Sequence, residues 1–437
     1  MGTSEPGARS TGGCPMVGSL DKVSLAEPEI LARPTAFYRA LRTEDPVHYD
    51  AKLGMWLVSR YQDIVALLRA PETFSDKAGY EAQYASGFME EFRQILERDG
   101  GGFFPDVIKS DPPEHTRIRK LMDGAFSAHR VKTLEPAITR IVADLVEKVA
   151  DKAARGEVVD GVNELAIPLT IAVICEQMGL SHYNAGKIQR WSSAVTAQIG
   201  RMQDREQMLE NARQICALQQ FIIEQIRDRE ATPREDMISD LVHARTVDGG
   251  KLGFAEAVSL VRALIIAGND TTATAIGNLL FVLATQPELA GQLGANIDDE
   301  RYMNRFVEEL LRFAPPVRGL AKMATRETVL GGQALPQGAH MLVLYASGND
   351  DETQFECPRN FDQNRGNIGL HVAFGVGIHR CVGASLARME IKVAARELLR
   401  RVEDIRLAIP VEDLSYLPTV ATHSIESLPL TFARRRG

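Results

Sequence analysis

The chain has 437 residues, of which 45% are hydrophobic and 25% charged, a balance typical of globular proteins with a substantial core. Its net charge of -8 excludes a nucleic-acid backbone as the expected main partner. The five cysteines form no CxxC pair and show no zinc-ligand spacing, which predicts a reducing, cytoplasmic location without a disulfide framework.

The first 24 residues differ from the rest of the chain. Residues 1–20, MGTSEPGARSTGGCPMVGSL, are small and polar and lack the apolar core of a signal peptide. We therefore expect a flexible tail over residues 1–24. No Pro/Gly/Ser-rich linker, charge block or repeat interrupts the remainder, which predicts one domain over residues 25–437 without a membrane anchor.

Strand and helix patterns alternate in the first third of the chain. Residues 55–60, MWLVSR, predict a strand. Residues 80–104 are rich in aromatic side chains, which in most proteins serve only packing. In residues 111–121, DPPEHTRIRKL, the side chains of His115 and Arg119 are four apart and share a helix face, which composition alone interprets as a solvated basic face.

Residues 257–284 predict a long central helix that is buried on most sides. The segment approaches the length of a membrane span, but Arg262 and Asp270 would cost several kcal/mol in lipid. Gly268 costs roughly 1 kcal/mol relative to alanine in a helix, so its presence requires a reason. Thr271 lies four residues after Ala267, and its hydroxyl is able to bond to that carbonyl and bend the helix.

Residues 298–316 predict an amphipathic helix that stops at two prolines. Glu309 and Arg312 fall opposite its apolar stripe, so spacing alone suggests an exposed pair worth about 0.2 to 0.5 kcal/mol. Strand patterns follow at 327–332 and 334–346 and again at 427–432. The fold class is therefore mainly α with a minor β part.

Residues 373–383, AFGVGIHRCVG, place one cysteine in a glycine-rich loop before a predicted helix. Glycines at 375 and 377 permit a tight turn, and Gly383 permits close approach after Cys381. Such a loop can direct backbone N–H groups at a thiolate, which is a good soft metal ligand. The alternative is a nucleophile paired with His379, although no Asn or Asp orienter is evident. The cysteines at 175, 216 and 357 are interpreted as small buried hydrophobes.

The cysteine loop resembles that of the cytochrome P-450 family, whose pattern is Phe-Gly-x-Gly-x-(His/Arg)-x-Cys-x-Gly. Four further stretches resemble the family in the same order: WLVSRYQDIVALLRAPETFSD (56–76), DPPEHTRIRKL (111–121), AGNDTT (267–272), and EELLR (308–312) with PRNFDQNR (358–365). The resemblance runs from about residue 25 to the C-terminus. It implies the cytochrome P-450 fold, with a long central helix over a haem and the cysteine-ligand loop beneath.

The resemblance implies that haem b is the cofactor and that Cys381 is the axial thiolate of its iron. Phe374 would pack beside the sulfur, and Gly375 and Gly383 would shape the loop. Lys322 stands where the family often has a propionate-binding arginine, and a lysine cannot offer the bidentate fork. The residues implied to bind the haem propionates are His115, Arg119, His379 and Lys322.

The resemblance also assigns roles in oxygen chemistry and in the fold. Ala267 and Gly268 would form a groove for O2, Thr271 would stabilise the iron-bound peroxide, and Asp270 would help to deliver protons. Glu309, Arg312 and Arg365 would form a buried structural network that supports folding and haem retention. The candidates for the substrate pocket are Phe88, Leu264, Val317, Arg318, Leu320 and Val420.

The resemblance implies a haem-thiolate monooxygenase that hydroxylates or epoxidises a small to medium apolar substrate, such as a terpenoid, steroid, fatty acid or aromatic. Electrons would come from a separate ferredoxin and its reductase, and we expect a monomer. The predicted docking face contains Arg119, Lys120, Arg380 and Arg388. The alternatives are a non-turnover haem-thiolate binding or sensor protein and a peroxide-driven peroxygenase. The pairing of Asp270 with Thr271 argues against both.

Overall fold

The structure is a computed structural model that describes residues 19–82, 87–126, 128–180, 184–200, 204–245 and 249–435. Helices dominate these ranges and the strands are short, which confirms a mainly α protein with a minor β part. The α-helices are α1 (Pro28–Ala32), α2 (Thr35–Glu44), α3 (Tyr61–Leu68), α4 (Asp76–Glu81), α5 (Gly87–Asp99), α6 (Glu114–Ala125), α7 (Ala128–Ala154), α8 (Ile167–Gln177), α9 (Ala185–Gly200), α10 (Arg205–Ala231), α11 (Met237–His243), α12 (Phe254–Thr285), α13 (Pro287–Ala295), α14 (Glu300–Phe313), α15 (Tyr345–Asn349) and α16 (Ala384–Arg401). The strands are β1 (Val47–Asp50), β2 (Met55–Val58), β3 (Phe74–Ser75), β4 (Val159–Asp160), β5 (Leu320–Ala324), β6 (Thr328–Leu330), β7 (Gln333–Leu335), β8 (His340–Val343), β9 (Val402–Leu407) and β10 (Pro429–Arg434).

The predicted central helix is α12, which runs unbroken for 32 residues. The Glu256 side chain accepts the Gly253 N–H at its N-terminus, and Pro287 begins the next helix just past its end. Because α12 is apolar on most sides, it packs against α8, α9, α10 and α16 together. Of the described helices, none is long and apolar enough to cross a membrane.

The strands form three small sheets. The largest has the order β1-β2-β8-β5-β3, in which β2 and β8 run parallel and the other neighbours antiparallel. The second has the order β4-β10-β9, and the third pairs β6 with β7. The strand patterns in the sequence are confirmed by β2, β6, β7, β8 and β10. Strand β5 matters most for the site because it carries Lys322 opposite Met341 of β8.

The boundary of the expected N-terminal tail is wrong at its C-terminal end. Residues 1–18 lie outside the described part of the chain, but Leu20 is buried in a cluster with Phe37 and Leu57. The Ser24 hydroxyl donates to both carboxylate oxygens of buried Asp50 at 2.8 Å. Residues 20–24 therefore belong to the packed protein, because they supply apolar contacts and hydrogen bonds to the first sheet.

Two hydrophobic clusters meet on α12 and fix its position. One joins α12 to α7, α14 and α16 through residues such as Ile276 and Leu398. The other joins its first half to α8 and α10 through Leu260 and Ile222. Cys175 and Cys216 are buried as expected, whereas Cys357 is exposed and adopts a φ of 44°. Its interpretation as a buried hydrophobe is wrong, because a left-handed turn places it at the surface.

Candidate active site

The cysteine loop turns tightly between Phe374 and the start of α16. Gly375 and Gly377 have φ values of 66° and 76°, in the left-handed region that favours glycine. A side chain at Gly377 would also collide with the Leu68 carbonyl oxygen of α3. The Cys381 N–H donates to the Phe374 carbonyl at 2.9 Å and closes the loop. The two glycines are therefore required by backbone conformation and by close approach.

The Cys381 side chain is exposed, but dense protein that carries positive charge surrounds it. Burial raises the pKa of its thiol, whereas the Gly383 N–H and the guanidinium groups of Arg119, Arg388 and Arg380 act to lower it. A Cβ at Gly383 would lie 4.0 Å from the sulfur, an ordinary van der Waals distance, so this contact alone does not require a glycine. Among the described residues no hydrogen bond joins the thiol to His379. The geometry thus offers no cysteine–histidine dyad and instead supports a thiolate ligand.

Phe374 packs beside this loop under a cation. The Arg388 guanidinium carbon lies 4.4 Å from the ring centroid, and the same guanidinium donates to Glu308. Burial raises the pKa of Glu308, but hydrogen bonds from Arg388 and His371 outweigh it and bring the value to about 2. The network fixes Arg388 against α14, so much of its charge is neutralised locally.

His115 of α6 and His379 of the loop lie side by side. Their ring centroids are 4.2 Å apart, and burial lowers the pKa of both imidazoles. The buried Nδ1 of His115 and Nε2 of His379 have no hydrogen-bond partner among the described residues. Nε2 of His379 is 3.1 Å from the Asp76 carboxylate but lacks hydrogen-bond geometry. Buried polar atoms without partners are rare and need an explanation.

Asp76, which sequence reasoning missed, is the centre of a cationic cluster. Its buried carboxylate accepts a hydrogen bond from Lys322 of β5 and lies 4.0 Å from the Lys109 amine. Burial lowers the pKa of Lys322 to about 7. Asp76 begins α4 directly after the N-cap Ser75, within the stretch FSD that carries the family resemblance. The position of Asp76 in this family-like stretch was the signal that could have identified it. No nearby residue in the sequence indicated that it contacts Lys322 and Lys109.

Arg119 connects α6 to the cysteine loop. Its guanidinium donates to the Arg380 carbonyl at 2.5 Å and to Asp123 at 2.8 Å. The structure therefore brings this arginine next to Cys381, and brings the histidines at 115 and 379 next to Lys322. A soft sulfur with a nearby set of cationic donors and two unsatisfied imidazole nitrogens fits an iron porphyrin with two carboxylates. The residues present thus fit the haem that the resemblance implies.

The middle of α12 carries the oxygen-chemistry candidates. The Thr271 hydroxyl donates to the Ala267 carbonyl at 2.8 Å while the helix remains continuous. A Cβ at Gly268 would lie 3.2 Å from the Ile174 Cδ1 of α8, a tight approach. A side chain at residue 268 would therefore require the Ile174 side chain to move by a few tenths of an ångström. Ala267 is exposed and Thr271 half-buried at the wall of a cavity.

Asp270 is enclosed by side chains of α9. Its Oδ1 accepts hydrogen bonds from the Ser192 hydroxyl at 3.1 Å and the Asn269 amide at 3.0 Å. Its Oδ2 accepts a hydrogen bond from the Thr196 hydroxyl. Burial raises the pKa of this carboxyl, although the two hydroxyls act to lower it. Nothing in the sequence indicated Ser192 and Thr196, because α9 and α12 meet only in the fold.

A cavity of about 250 Å³ lies against this part of α12. Its wall is mainly aromatic and aliphatic, and it includes the predicted pocket residues Val317 and Leu320. The Phe88 side chain lies outside the described residues. The lining residues on which the account below depends are Phe92, Phe103, Phe104, Thr196, Ala267, Asp270 and Thr271.

Three predicted pocket residues lie elsewhere. The Arg318 guanidinium, 1% exposed, donates to the Leu31 carbonyl at 2.8 Å and to the Tyr38 hydroxyl at 3.3 Å. It holds the N-terminal helices in place, so the prediction that it meets substrate is wrong. Leu264 points into the core with α8 and α10, and Val420 into the core with α2. Their neighbours in sequence, Ala263 and Ala421, line the cavity in their place.

Glu309, Arg312 and Arg365 form a buried network. Arg312 makes a bidentate pair with Glu309 at 2.7 and 2.8 Å, and both side chains are 0% exposed. Arg365 adds a hydrogen bond to Glu309 at 3.1 Å. The exposed pair suggested by helical spacing is wrong, because the segment that contains Pro358 and Arg365 covers this face of α14.

The four predicted docking cations are not equivalent. Arg119 is paired with Asp123 and Arg388 with Glu308, which neutralises much of their charge. Lys120 and Arg380 are exposed, and the described residues give them no ion pair.

The sequence matches a known family over most of its length. The family model described as Cytochrome P-450 matches residues 55–403. Cytochrome P-450 107B1 of Saccharopolyspora erythraea is 34% identical over 92% of this chain and 98% of its own. The 6-deoxyerythronolide B hydroxylase of the same organism is 33% identical over 90% of this chain and 94% of its own.

Solved structures show the same fold. The structure of CYP109Q5 from Chondromyces apiculatus superposes with a TM-score of 0.83 at 31% identity, over 96% of this chain and all of that chain. P450BioI, solved in complex with a hexadec-9Z-enoic acid-ligated acyl carrier protein, has a TM-score of 0.80 at 28% identity over 93% of this chain and 99% of its own. These likenesses extend over nearly the whole length of each protein.

Proposed function

Because the chain belongs to the cytochrome P-450 family of monooxygenases, which use haem b with O2 as co-substrate, we propose that it oxidises a small to medium apolar molecule in the cavity beside Thr271. The observation that carries the proposal is the cavity itself, whose mainly apolar wall meets the hydroxyl of Thr271 and the carboxylate of Asp270. The reaction inserts one oxygen atom as a hydroxyl or epoxide.

The charged groups in the described cavity wall favour an apolar substrate because protein atoms already engage them. Asp106 accepts a hydrogen bond from the Ile108 N–H at 3.2 Å, and the Lys109 amine lies 4.0 Å from the Asp76 carboxylate. Arg262 donates to the Phe104 carbonyl at 2.7 Å and to the Gln219 amide oxygen. Asp270 is held by the hydroxyls of α9. A substrate therefore meets mostly aromatic and aliphatic surface, as most small-molecule sites offer. Fatty acids, steroids, terpenoids and aromatics suit this wall, and the name of one relative adds 6-deoxyerythronolide B.

The residues of the site have separate roles in this proposal. Cys381 ligates the haem iron, and His115, Arg119, His379 and Lys322 bind the propionates. The haem, when bound, supplies the oxidising chemistry.

The side chains on α12 control protons and orientation. The Thr271 hydroxyl holds a proton at the cavity wall, and Asp270 supplies protons from behind it. Electrons come from a separate ferredoxin and its reductase, which dock at the exposed cations Lys120 and Arg380 near the cysteine loop. The protein is proposed to act as a cytoplasmic monomer.

The first experiment screens substrates by their effect on the haem spectrum. The holoprotein is titrated with dodecanoic acid, testosterone, limonene and 6-deoxyerythronolide B, and the spin-state shift is recorded. Compounds that shift the spectrum are then incubated with NADH, a ferredoxin and its reductase, and the products are analysed by mass spectrometry. A product heavier by one oxygen atom supports the proposal.

A pair of isosteric variants tests the role of the hydroxyl. Thr271→Val should lower the product formed per NADH and raise the hydrogen peroxide released, because proton delivery fails. Thr272→Val is the matched control, since Thr272 is buried in the core and does not line the cavity. If Thr271→Val and Thr272→Val form the same amount of product per NADH, the role of Thr271 is contradicted. Spectral shifts without any product favour the sensor alternative, and turnover with hydrogen peroxide alone favours the peroxygenase.

A further inference from the structure

A second cavity, of about 730 Å³, adjoins the catalytic one. The wall of this second cavity comes from residues 162–167, α9, the first turns of α10, the α12 segment from Asp270 onward, and residues between 417 and 426. Of the described residues, only Thr196 and Asp270 line both cavities. These two side chains therefore form the boundary between them.

The two cavities differ in their contact with water. The wall of the catalytic cavity is mainly aromatic and aliphatic. The second cavity includes the exposed carboxylates of Glu206, Glu210 and Glu426, and no described residue in its wall is basic. Water and protons therefore reach the second cavity from solvent more easily than they reach the first.

Ser192 and Thr196 both donate hydrogen bonds to Asp270 at the boundary, but they have different positions relative to the cavities. Ser192 is 1% exposed and lines neither cavity, so its bond to Asp270 Oδ1 fixes the position of the carboxylate. Thr196 lines both cavities and donates its hydroxyl proton to Asp270 Oδ2. A hydroxyl is both a donor and an acceptor, so Thr196 is able to accept from water while it donates to the carboxylate.

We propose that the second cavity is the proton entrance of this enzyme and that the Thr196 hydroxyl passes protons from its water to Asp270. The hydroxyl gives its proton to Oδ2 of the carboxylate as a hydronium ion from solvent replaces that proton on Oγ1 and becomes a neutral water molecule. The net change is one proton moved from the cavity water to Asp270; no electron is transferred, and Thr196 is unchanged afterwards. The inference rests on the proposed function, since it supplies the protons that Asp270 delivers beside Thr271.

The test compares three substitutions on α9 in the holoenzyme. Thr196→Val removes the hydroxyl with little change in shape, and Thr196→Ser keeps it. Ser193→Ala is the control, because Ser193 touches the second cavity but makes no hydrogen bond to Asp270. Each variant is assayed with whichever panel compound gives the wild type its largest spin-state shift.

The expected result is a several-fold loss of product per NADH in Thr196→Val, with a larger solvent deuterium isotope effect on product formation. Product per NADH is compared at saturating substrate, because Thr196 also lines the catalytic cavity and its substitution can change substrate affinity as well. Thr196→Ser should restore both quantities, and Ser193→Ala should match the wild type. If Thr196→Val does not load haem, Thr196→Ala makes the same comparison.

The proposal would be overturned if Thr196→Val formed as much product per NADH as the wild type and showed the same solvent isotope effect. A serine variant as impaired as the valine variant would also overturn it, because the lost methyl group and not the hydroxyl would then be responsible. A failure of the proposed function gives a different result, since the wild type itself would then form no product.

Discussion

The imidazole rings of His115 and His379 lie 4.2 Å apart, although one belongs to α6 and the other to the cysteine loop. Each presents a buried nitrogen without a hydrogen-bond partner among the described residues. These two nitrogens would be available to hold a carboxylate of the haem. The fold therefore brings two distant stretches of sequence together at the proposed propionate-binding site.

His115→Ala should accelerate haem loss several-fold, because one donor to a propionate disappears. The rate is measured by transfer of haem to excess apomyoglobin. His243→Ala is the control, since that imidazole lies at the end of α11 and bonds to the Arg229 carbonyl. Equal rates in the wild type and His115→Ala would contradict the assignment.

Gly79 of α4 allows close contact with the backbone of Lys322, the lysine that pairs with Asp76. A Cβ at Gly79 would lie 2.7 Å from the Lys322 Cα, so α4 touches the backbone of β5. Gly79→Ala should lower the free energy of unfolding by about 1 to 3 kcal/mol, a typical cost of overpacking. Gly124→Ala in α6 meets nothing within 4 Å and should stabilise the protein slightly. Urea unfolding of both variants checks the difference, and equal stabilities would contradict the contact.

The redox partner should depend on the unpaired cations of the docking face. Arg380→Glu and Lys120→Glu should each slow reduction by ferredoxin. The reduction rate of each variant should also depend less on ionic strength than that of the wild type. Lys251→Glu, which makes the same charge change in the loop before α12, is the control. Stopped-flow reduction measures the rates, and unchanged rates in the first two variants would exclude this face. Arg388→Glu is a poorer test because it also breaks the pair with Glu308.

The contribution of Glu308 to the free energy of unfolding should be lost at acid pH. Its pKa falls from 4.5 in the unfolded chain to about 2 in the folded protein, so its contribution is complete above pH 4.5. It is lost as the pH falls through about 2, where the folded protein binds the proton. Glu308→Gln should therefore cost roughly 3 kcal/mol at pH 7, and this cost should shrink as the pH falls towards 2.

Chemical unfolding followed by circular dichroism at pH 7 and pH 3 measures the difference. Glu327→Gln, at an exposed position, is the charge-matched control. A cost for Glu308→Gln that is the same at both pH values would show that the hydrogen bonds of this carboxylate do not require its charge.

Local patterns allowed much of the site to be predicted. The cysteine loop is encoded within eleven residues, because its turn needs glycines and its ligand needs one cysteine. The long α12 follows from a continuous apolar run, and Thr271 follows from its spacing to Ala267. These features depend on contacts between residues near each other in sequence.

The features that were missed depend on packing between distant segments. Asp76 meets Lys322 only because α4 docks on β5, and Thr196 meets Asp270 only because α9 crosses α12. Leu264 and Val420 were each one residue from a true cavity residue, since periodicity does not fix which side of a buried helix or loop faces a cavity.

The measurement that most directly tests the central claim is the absorption spectrum of the dithionite-reduced protein under carbon monoxide. The account predicts a strongly red-shifted Soret band in the wild type and its loss in Cys381→Ser. Haem bound in folded wild-type protein without that band would contradict thiolate ligation by Cys381, and with it the proposed oxidation.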